Sequence, residues 1–246
     1  NYFYAKYLSN IGKIEQAKKI VNSSLKLYPR NLLLNQYKLD LNQYKNVSNF
    51  DCKKKEHVIA EILYITSNAL SSQSIYPLSN FYLNLAKYLN EDFHSYDTLL
   101  AENFYKINNF DKAKKIYNNL SKKGKAYQWY SSKQIARIYI QEENKDKALK
   151  LVGKAYDDLA NKDMYETFDY AEFLKNNEKF KESIIYYTRI LNGIEKNHPL
   201  YAETTDGRGV AQERIGKWEE AEKDLLASLE ADPEQAYVIN YLAYTW

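Results

Sequence analysis

The chain has 246 residues, of which 45% are hydrophobic and 27% are charged, a composition typical of globular proteins. Its net charge of +3 is too small to indicate a nucleic-acid ligand by itself, and its 7 glycines and 4 prolines are too few for an all-β sandwich or a glycine-rich phosphate loop. The single cysteine excludes an intrachain disulfide and a zinc site built from cysteines.

Small residues recur in pairs that stand twelve positions apart along the chain. From position 67 onward, the first member of each pair returns after 34, 35, 35, 38 and 34 residues. Apolar residues stand three positions after the first small residue and four after the second, offsets that place neighbours on one helical face. Each unit is therefore predicted to hold two helices that cross at the small pair. The complete pairs are Ala5 and Ala17, Ser67 and Ser79, Ala101 and Ala113, Ala136 and Ala148, Ala171 and Ser183, and Gly209 and Ala221.

The spacing predicts one solenoid over residues 1–246, which we expect to be part of a longer chain because both ends fall inside a repeat. The second repeat is predicted to be degenerate, with a first helix at 32–44 but only a loop or a short helix at 46–57, where turn formers and lysines replace an apolar face. The predicted repeats are 1–31, 32–59, 60–93, 94–128, 129–163, 164–201, 202–235 and a partial repeat at 236–246.

The most regular unit contains Gly209-Val210-Ala211, then Gly216-Lys217-Trp218-Glu219-Glu220-Ala221, then Leu225 and Pro233. This pattern resembles the tetratricopeptide repeat (TPR) family, in its bacterial form, and the resemblance extends over nearly the whole chain. It implies an all-α solenoid of antiparallel helix-turn-helix repeats that winds as a right-handed superhelix. In such a solenoid the first helices line a concave groove and the second helices form the convex face.

Helical spacing from the small pairs then predicts which side chains point into the groove. Aromatic rings beside charged groups are typical of surfaces that bind peptides, although packing between repeats stays an alternative for each ring. Glu61, Ser95 and Thr98 occupy the same kind of position on their helices. The predicted groove residues are Tyr64, Asn68, Glu102, Tyr105, Tyr130, Lys133, Arg137, Tyr165, Phe168 and Glu172.

We therefore expect a non-catalytic protein–protein interaction scaffold that binds a peptide or protein segment in its concave groove. One alternative is a structural role, through self-association or as a docking module within a larger protein. Another is an anionic ligand, RNA or a membrane surface, on a basic convex face that includes Lys114 and Lys115. We do not expect nucleic acid, because exposed aromatic residues do not alternate with these lysines.

No motif for nucleotide binding, metalloprotease chemistry or a nucleophile elbow occurs, so the sequence predicts no enzyme, no cofactor and no metal site. Cys52 and His57 stand five positions apart, but no other cysteine or histidine is near them in the sequence to complete a site. No apolar run is long enough to span a membrane, and we expect a soluble bacterial protein. Cytoplasm and periplasm both stay open, since a signal sequence could precede Asn1.

Overall fold

The computed structural model describes residues 1–43, 50–51, 53–235 and 238–239, and among these it contains thirteen α-helices, one 3₁₀ turn at Ser121–Lys123 and no strand. The all-α architecture of paired helices predicted from the sequence is thereby confirmed. The helices are α1 (Tyr2–Asn10), α2 (Ile14–Leu27), α3 (Leu32–Asn42), α4 (Lys55–Ser72), α5 (Tyr76–Leu89), α6 (Ser95–Lys106), α7 (Phe110–Leu120), α8 (Lys125–Gln141), α9 (Lys145–Asp157), α10 (Met164–Asn176), α11 (Phe180–Leu191), α12 (Tyr201–Arg214) and α13 (Trp218–Ala231).

The chain divides into two compact units, Asn1–Leu151 and Val152–Trp246, with α9 crossing the boundary. In the first unit, α1 contacts α2, α4 contacts α5, and α6 contacts α7. In the second unit, α10 contacts α11 and α12 contacts α13. Each of these pairs consists of consecutive helices joined by a short connection, which is the arrangement that the repeat spacing predicts.

The small residues are buried where the spacing placed them. Ala136 and Ala148 have no exposed surface, and neither do Ser67 and Ser79. The hydroxyl of Ser79 donates a hydrogen bond of 2.8 Å to the carbonyl oxygen of Ser67, so the backbones of α4 and α5 approach closely at this pair. A Cβ atom on Gly209 would lie 3.0 Å from Leu225 Cγ and 3.2 Å from the carbonyl oxygen of Ala221, which leaves little room for a side chain at that crossing.

The break inside each helix pair contains one residue in the left-handed conformation, always five positions before the second small residue. The sequence pointed to asparagine and glycine for this role, because those residues tolerate positive φ best. Two glycines and Asn108 fulfil it, but Ser74, Glu143 and Glu178 adopt positive φ as well. In the last two of these breaks an asparagine lies next to the left-handed residue: Asn144 follows Glu143, and Asn177 precedes Glu178.

The degenerate second repeat departs from the pattern at α3. Residues 44–49 and 52 lie outside the described part of the chain, so the loop or short helix predicted at 46–57 is tested only at its remaining positions. Residues 50, 51, 53 and 54 are not helical, but α4 begins at Lys55, five residues before the predicted repeat boundary. The partial repeat at 236–246 is described only at Val238 and Ile239.

The helix α3 packs against α2 and against α8, which lies far away in the sequence. The backbone N–H of Ala126, in the first turn of α8, donates a 3.1 Å hydrogen bond to Gln36 Oε1. Gln36 Nε2 in turn donates to Asp40 Oδ1 at 2.9 Å. Gly124 permits this approach, because a Cβ atom there would lie 2.2 Å from Gln36 Oε1.

Candidate functional site

In the first unit, α1 and α3 lie against the first-helix face, by which we mean the side of α4, α6 and α8 that the sequence assigned to the groove. A cleft of ≈490 Å³ separates the two layers. Glu61 and Tyr64 of α4 and Ser95 and Thr98 of α6 line one wall, all of them at positions that the spacing predicted. The opposite wall consists mainly of apolar residues of α1 and α3, among them Tyr2, Phe3, Leu32, Leu33 and Leu34.

An aromatic cluster around Phe93 closes one end of the cleft. The ring centroid of Phe93 lies 6.5 Å from that of Tyr2, 6.3 Å from that of Tyr64 and 5.1 Å from that of Tyr96. Phe3 stacks on the same ring at 6.1 Å. Phe93 lies in the connection between α5 and α6, and the rings around it come from α1, α4 and α6, so the cluster anchors the N-terminal helix to the first-helix face.

Glu61 is a charged residue on the wall of the cleft, and its carboxylate lies in an unusual electrostatic environment. Its Oε2 atom is buried and has no hydrogen-bond partner among the described residues. Burial raises the pKa of this carboxyl above its usual range, and the same loss of solvent raises the pKa of the neighbouring Tyr64 hydroxyl. The cleft therefore offers a half-buried acceptor that a cationic donor could satisfy.

The predicted groove residues further along the first unit already satisfy one another. Arg137 Nη2 donates to Glu102 Oε2 at 2.6 Å, and the guanidinium carbon of Arg137 lies 3.8 Å from the ring centroid of Tyr105. The hydroxyl of Tyr117 reaches the same Glu102 oxygen at 3.3 Å. Glu102, Tyr105 and Arg137 are half-buried and Tyr117 is buried, so a ligand would have to share or break these contacts.

The other groove residues of this unit differ in accessibility. Tyr130 is half-buried, with its ring 6.1 Å from that of Tyr117, and burial raises the pKa of its hydroxyl. Lys133 is also half-buried, and its ammonium nitrogen lies 5.1 Å from the ring centroid of Trp129. Asn68 is exposed. Of the ten residues predicted to form the binding groove, Tyr64 lines the cleft, together with Glu61, Ser95 and Thr98 at the equivalent helix positions.

In the second unit the structure separates the predicted residues into core and surface. Phe168 is only 7% exposed and its ring lies 6.1 Å from that of Tyr187, so the alternative of packing between helices holds for it. Tyr165 stays half-buried, with its ring 6.3 Å from that of His198. Glu172 accepts hydrogen bonds from Lys175 Nζ at 2.8 Å and from the hydroxyl of Tyr187.

An acidic region adjoins Glu172 on the same unit. Burial raises the pKa of Asp206, and the nearby Glu172 and Glu203 raise it further, while Lys175 opposes them. The Oδ1 atom of Asp206 has no hydrogen-bond partner in the described part of the chain.

Two groups that the sequence singled out outside the groove have structural partners. Lys114, expected on the convex face, is half-buried and its ammonium nitrogen lies 2.7 Å from Glu142 Oε1. His57 is buried, and its Nδ1 accepts a 3.0 Å hydrogen bond from the backbone N–H of Asp51. Cys52 lies outside the described residues.

A second cavity of ≈520 Å³ lies between α3 and residues 121–128 and has Lys122, Lys123 and Lys125 in its lining.

Sequence reasoning did not find that α1 and α3 would cover the first-helix face. A signal existed in the apolar run Leu32-Leu33-Leu34, since three consecutive leucines supply more apolar surface than one face of a helix pair needs. Within the described part of the chain, no helix combines the length and hydropathy of a membrane span, and no cluster of three or more histidine, cysteine or acidic side chains could hold a metal ion.

Several solved structures have folds similar to that of this chain. YrrB, described as a TPR protein with an unusual peptide-binding site, is 16% identical over 78% of this chain and 94% of its own, with a TM-score of 0.50. A putative kinesin light chain of Podosopora anserina with TPR-like repeats is 12% identical over 72% and 97%, with a TM-score of 0.54. The pilF protein of Pseudomonas aeruginosa is 11% identical over 99% and 95%, with a TM-score of 0.51.

The chain therefore has the fold of a tetratricopeptide-repeat protein, as the residue pattern predicted. At identities of 11% to 16% these similarities describe the fold. No protein-family model matches the sequence. A comparison with curated proteins also gave no match.

Proposed function

We propose that the chain is a non-catalytic binding module that holds a segment of another protein in the cleft between α1, α3 and the first-helix face. The observation that carries this proposal is the Glu61 carboxylate, which is half-buried in a cleft of ≈490 Å³ with one oxygen lacking a partner among the described residues. A concave, largely apolar cleft with a few convergent polar groups is the usual form of a binding site.

The lining of the cleft suggests the chemistry of the ligand. Leaving a buried acceptor unsatisfied costs about 1–3 kcal/mol, and a lysine or arginine side chain of the ligand would remove that cost. The rings of Tyr2, Tyr64 and Tyr127 also line the cleft and offer apolar contact with polar tips. The ligand that fits is a segment with apolar side chains on both sides of one basic residue.

The remaining predicted groove residues enter this proposal as secondary contacts. Tyr105 and Tyr165 are half-buried and present part of their rings, while the acidic region around Glu172 and Asp206 would favour a basic ligand in the second unit as well. The peptide-binding site named for YrrB is consistent with such a role for a chain of this fold. An anionic ligand on the second-helix face gains no support from Lys114, because Glu142 already pairs with it.

An array of short peptides tests the proposal, with leucine and tyrosine flanking a central lysine, glutamine or glutamate. The wild-type chain should bind the lysine peptides most tightly. The Glu61→Gln variant should weaken their binding about tenfold, because a hydrogen bond to a charged group contributes roughly 1.5 kcal/mol. Binding of the glutamine peptides should change little.

Glu56→Gln is the matched control, because Glu56 lies in the first turn of the same helix and is exposed. It should bind every peptide as the wild type does. Equal loss of lysine binding in both variants would indicate a general charge effect, and an unchanged lysine preference in Glu61→Gln would contradict the proposed site. Binding should also weaken when the pH falls below the raised pKa of Glu61, since protonation removes the negative charge.

A further inference from the structure

Among the described residues, the main neighbour of the helix pair α4–α5 is α6, which lies on one side of it. On that side, the ring of Tyr64 lies 5.4 Å from that of Tyr96 in α6, and Lys87 Nζ lies 2.5 Å from Asp97 Oδ1. Asn103 of α6 donates a 2.8 Å hydrogen bond to Asn80 Oδ1. Contacts from both helices of the pair thus identify the side that faces α6.

The other side of the pair would normally meet the second helix of the preceding repeat, as α3 meets α2 and α6 meets α5. The helix that precedes α4 in this chain is α3, and it packs against α2 and α8 instead. The main helix contacts of α4 are with α5 and α6. Within the described ranges, the altered course of the degenerate repeat therefore leaves one side of α4 and α5 without the helix that would usually pack there.

Residues two positions apart are separated by about 200° around an α-helix, so they lie on nearly opposite sides of it. Ile62 stands two positions before Tyr64, Leu78 two before Asn80, and Leu85 two before Lys87. Since Tyr64, Asn80 and Lys87 contact α6, the three apolar residues lie on the side away from it. Ile59, Ile65 and Phe81 extend the same surface along the two helices.

We call this surface the open face, and its side chains are large, apolar and between 39% and 61% exposed. Monomeric proteins rarely expose a contiguous apolar patch of more than a few hundred Å². Nothing in the open face is charged, and neither are Thr66 and Tyr82, which lie between its members on the helix surfaces. The six residues of the open face are Ile59, Ile62, Ile65, Leu78, Phe81 and Leu85.

We propose that the open face binds the open face of a second copy of this chain, so that the protein forms a two-fold symmetric dimer. In such a dimer the same surface meets itself, and any charge on it would be repeated across the interface. The open face has no charge to repeat, so it satisfies this condition. Because the open face has no charge, it has no feature that would favour a charged partner.

The exposed area is sufficient for a weak dimer. Six half-exposed side chains present on the order of 500 Å² per copy, which gives about 1,000 Å² for two copies and reaches the lower limit of specific interfaces. The dimer should therefore form at micromolar rather than nanomolar concentration. The interface is separate from the cleft, because Tyr64 and Ile62 lie on opposite sides of α4.

Sedimentation velocity of the full chain over a range of micromolar concentrations tests this inference. We expect the weight-average mass to rise with concentration and to level off at that of two chains. The Ile62→Glu variant should raise the dissociation constant at least about tenfold, because truncating or charging a central interface residue removes a dominant contact. Its helix content and melting temperature should match the wild type, since Ile62 is 58% exposed.

Ile185→Glu is the matched control, because Ile185 lies on a helix of the second unit with 59% exposure. It should dimerise as the wild type does. A wild-type chain that stays monomeric throughout would overturn the inference, as would a mass that keeps growing beyond two chains, which indicates head-to-tail association. Equal weakening by both variants, or by neither, would place the interface on another surface.

Discussion

At the residue scale, Glu61 links the stability of the chain to its proposed ligand. The structure leaves one carboxylate oxygen of Glu61 buried without a partner among the described residues, and burial raises the pKa of the group. A buried carboxylate without a partner lowers the free energy of unfolding when it is charged. A cationic group of the ligand that pairs with it removes this penalty, and the recovered free energy adds to the binding affinity. Stability and binding should therefore respond to Glu61 in opposite directions.

The Glu61→Gln substitution should raise the free energy of unfolding by about 1 kcal/mol at neutral pH, since it removes a partly desolvated charge. A raised pKa means that the folded state holds its proton to higher pH than the unfolded state, so wild-type stability falls as pH rises through this range. The difference in the free energy of unfolding between the variant and the wild type should thus vanish near pH 4, where Glu61 is largely protonated in both the folded and the unfolded state.

Urea denaturation at the two pH values measures this difference, and Glu56→Gln serves as the exposed control. The control should show no pH-dependent gain. A Glu61→Gln variant that is less stable than the wild type at neutral pH would mean that the carboxylate has a partner in the folded chain.

The small residues at helix crossings give a second prediction at this scale. Ala148 has no exposed surface, so replacing it with leucine adds three carbons where no room exists. Overpacking of this kind costs about 1–3 kcal/mol. Ala148→Leu should lower the melting temperature measured by circular dichroism, whereas Ala231→Leu, at an exposed position at the end of α13, should leave it nearly unchanged. Equal melting temperatures for both variants would contradict the crossing.

At the element scale, the position of α3 determines both the cleft and the open face. Its attachment to α8 depends on the Gln36 side chain, which accepts from the N–H of Ala126, and on the absence of a side chain at Gly124. Residues 36 and 126 lie 90 positions apart, so no local pattern encodes their contact. The repeat spacing could predict α3 as a helix but not the surface on which it lies.

The Gly124→Ala substitution tests this attachment, because its Cβ would displace the Gln36 amide from the N–H of Ala126. We expect a loss of about 1–2 kcal/mol from a broken buried hydrogen bond. Gly124 has a φ of 159°, so an alanine there is also strained in its backbone; if the clash with Gln36 contributes, the double variant Gln36→Ala/Gly124→Ala should lose less stability than the sum of the two single losses. Additive losses in urea denaturation would show that Gly124 acts through its backbone conformation or another neighbour.

At the scale of the whole molecule, the sequence predicted the helix pairs because each crossing requires a small residue at a fixed position. The same spacing placed Tyr64, Glu61 and Phe168 on one type of surface, but it could not tell a lining residue from a core residue. Phe168 is buried because Tyr187 packs beside it, whereas Glu61 Oε2 lies buried, with no partner among the described residues, in a cleft that α1 and α3 help to line. Those outcomes depend on which side chains the neighbouring helices contribute, and that information is not local.

If the cleft of the first unit is the ligand site, a bound peptide should protect the helices around it from amide exchange. Hydrogen–deuterium exchange of the full chain, with and without a saturating concentration of the tightest lysine peptide from the array, tests it most directly. We expect added protection in α1, in α3 and in the first half of α4, with little change in α7 and α11. Added protection confined to those second helices, with none around Glu61, would contradict it and place the ligand on the opposite face.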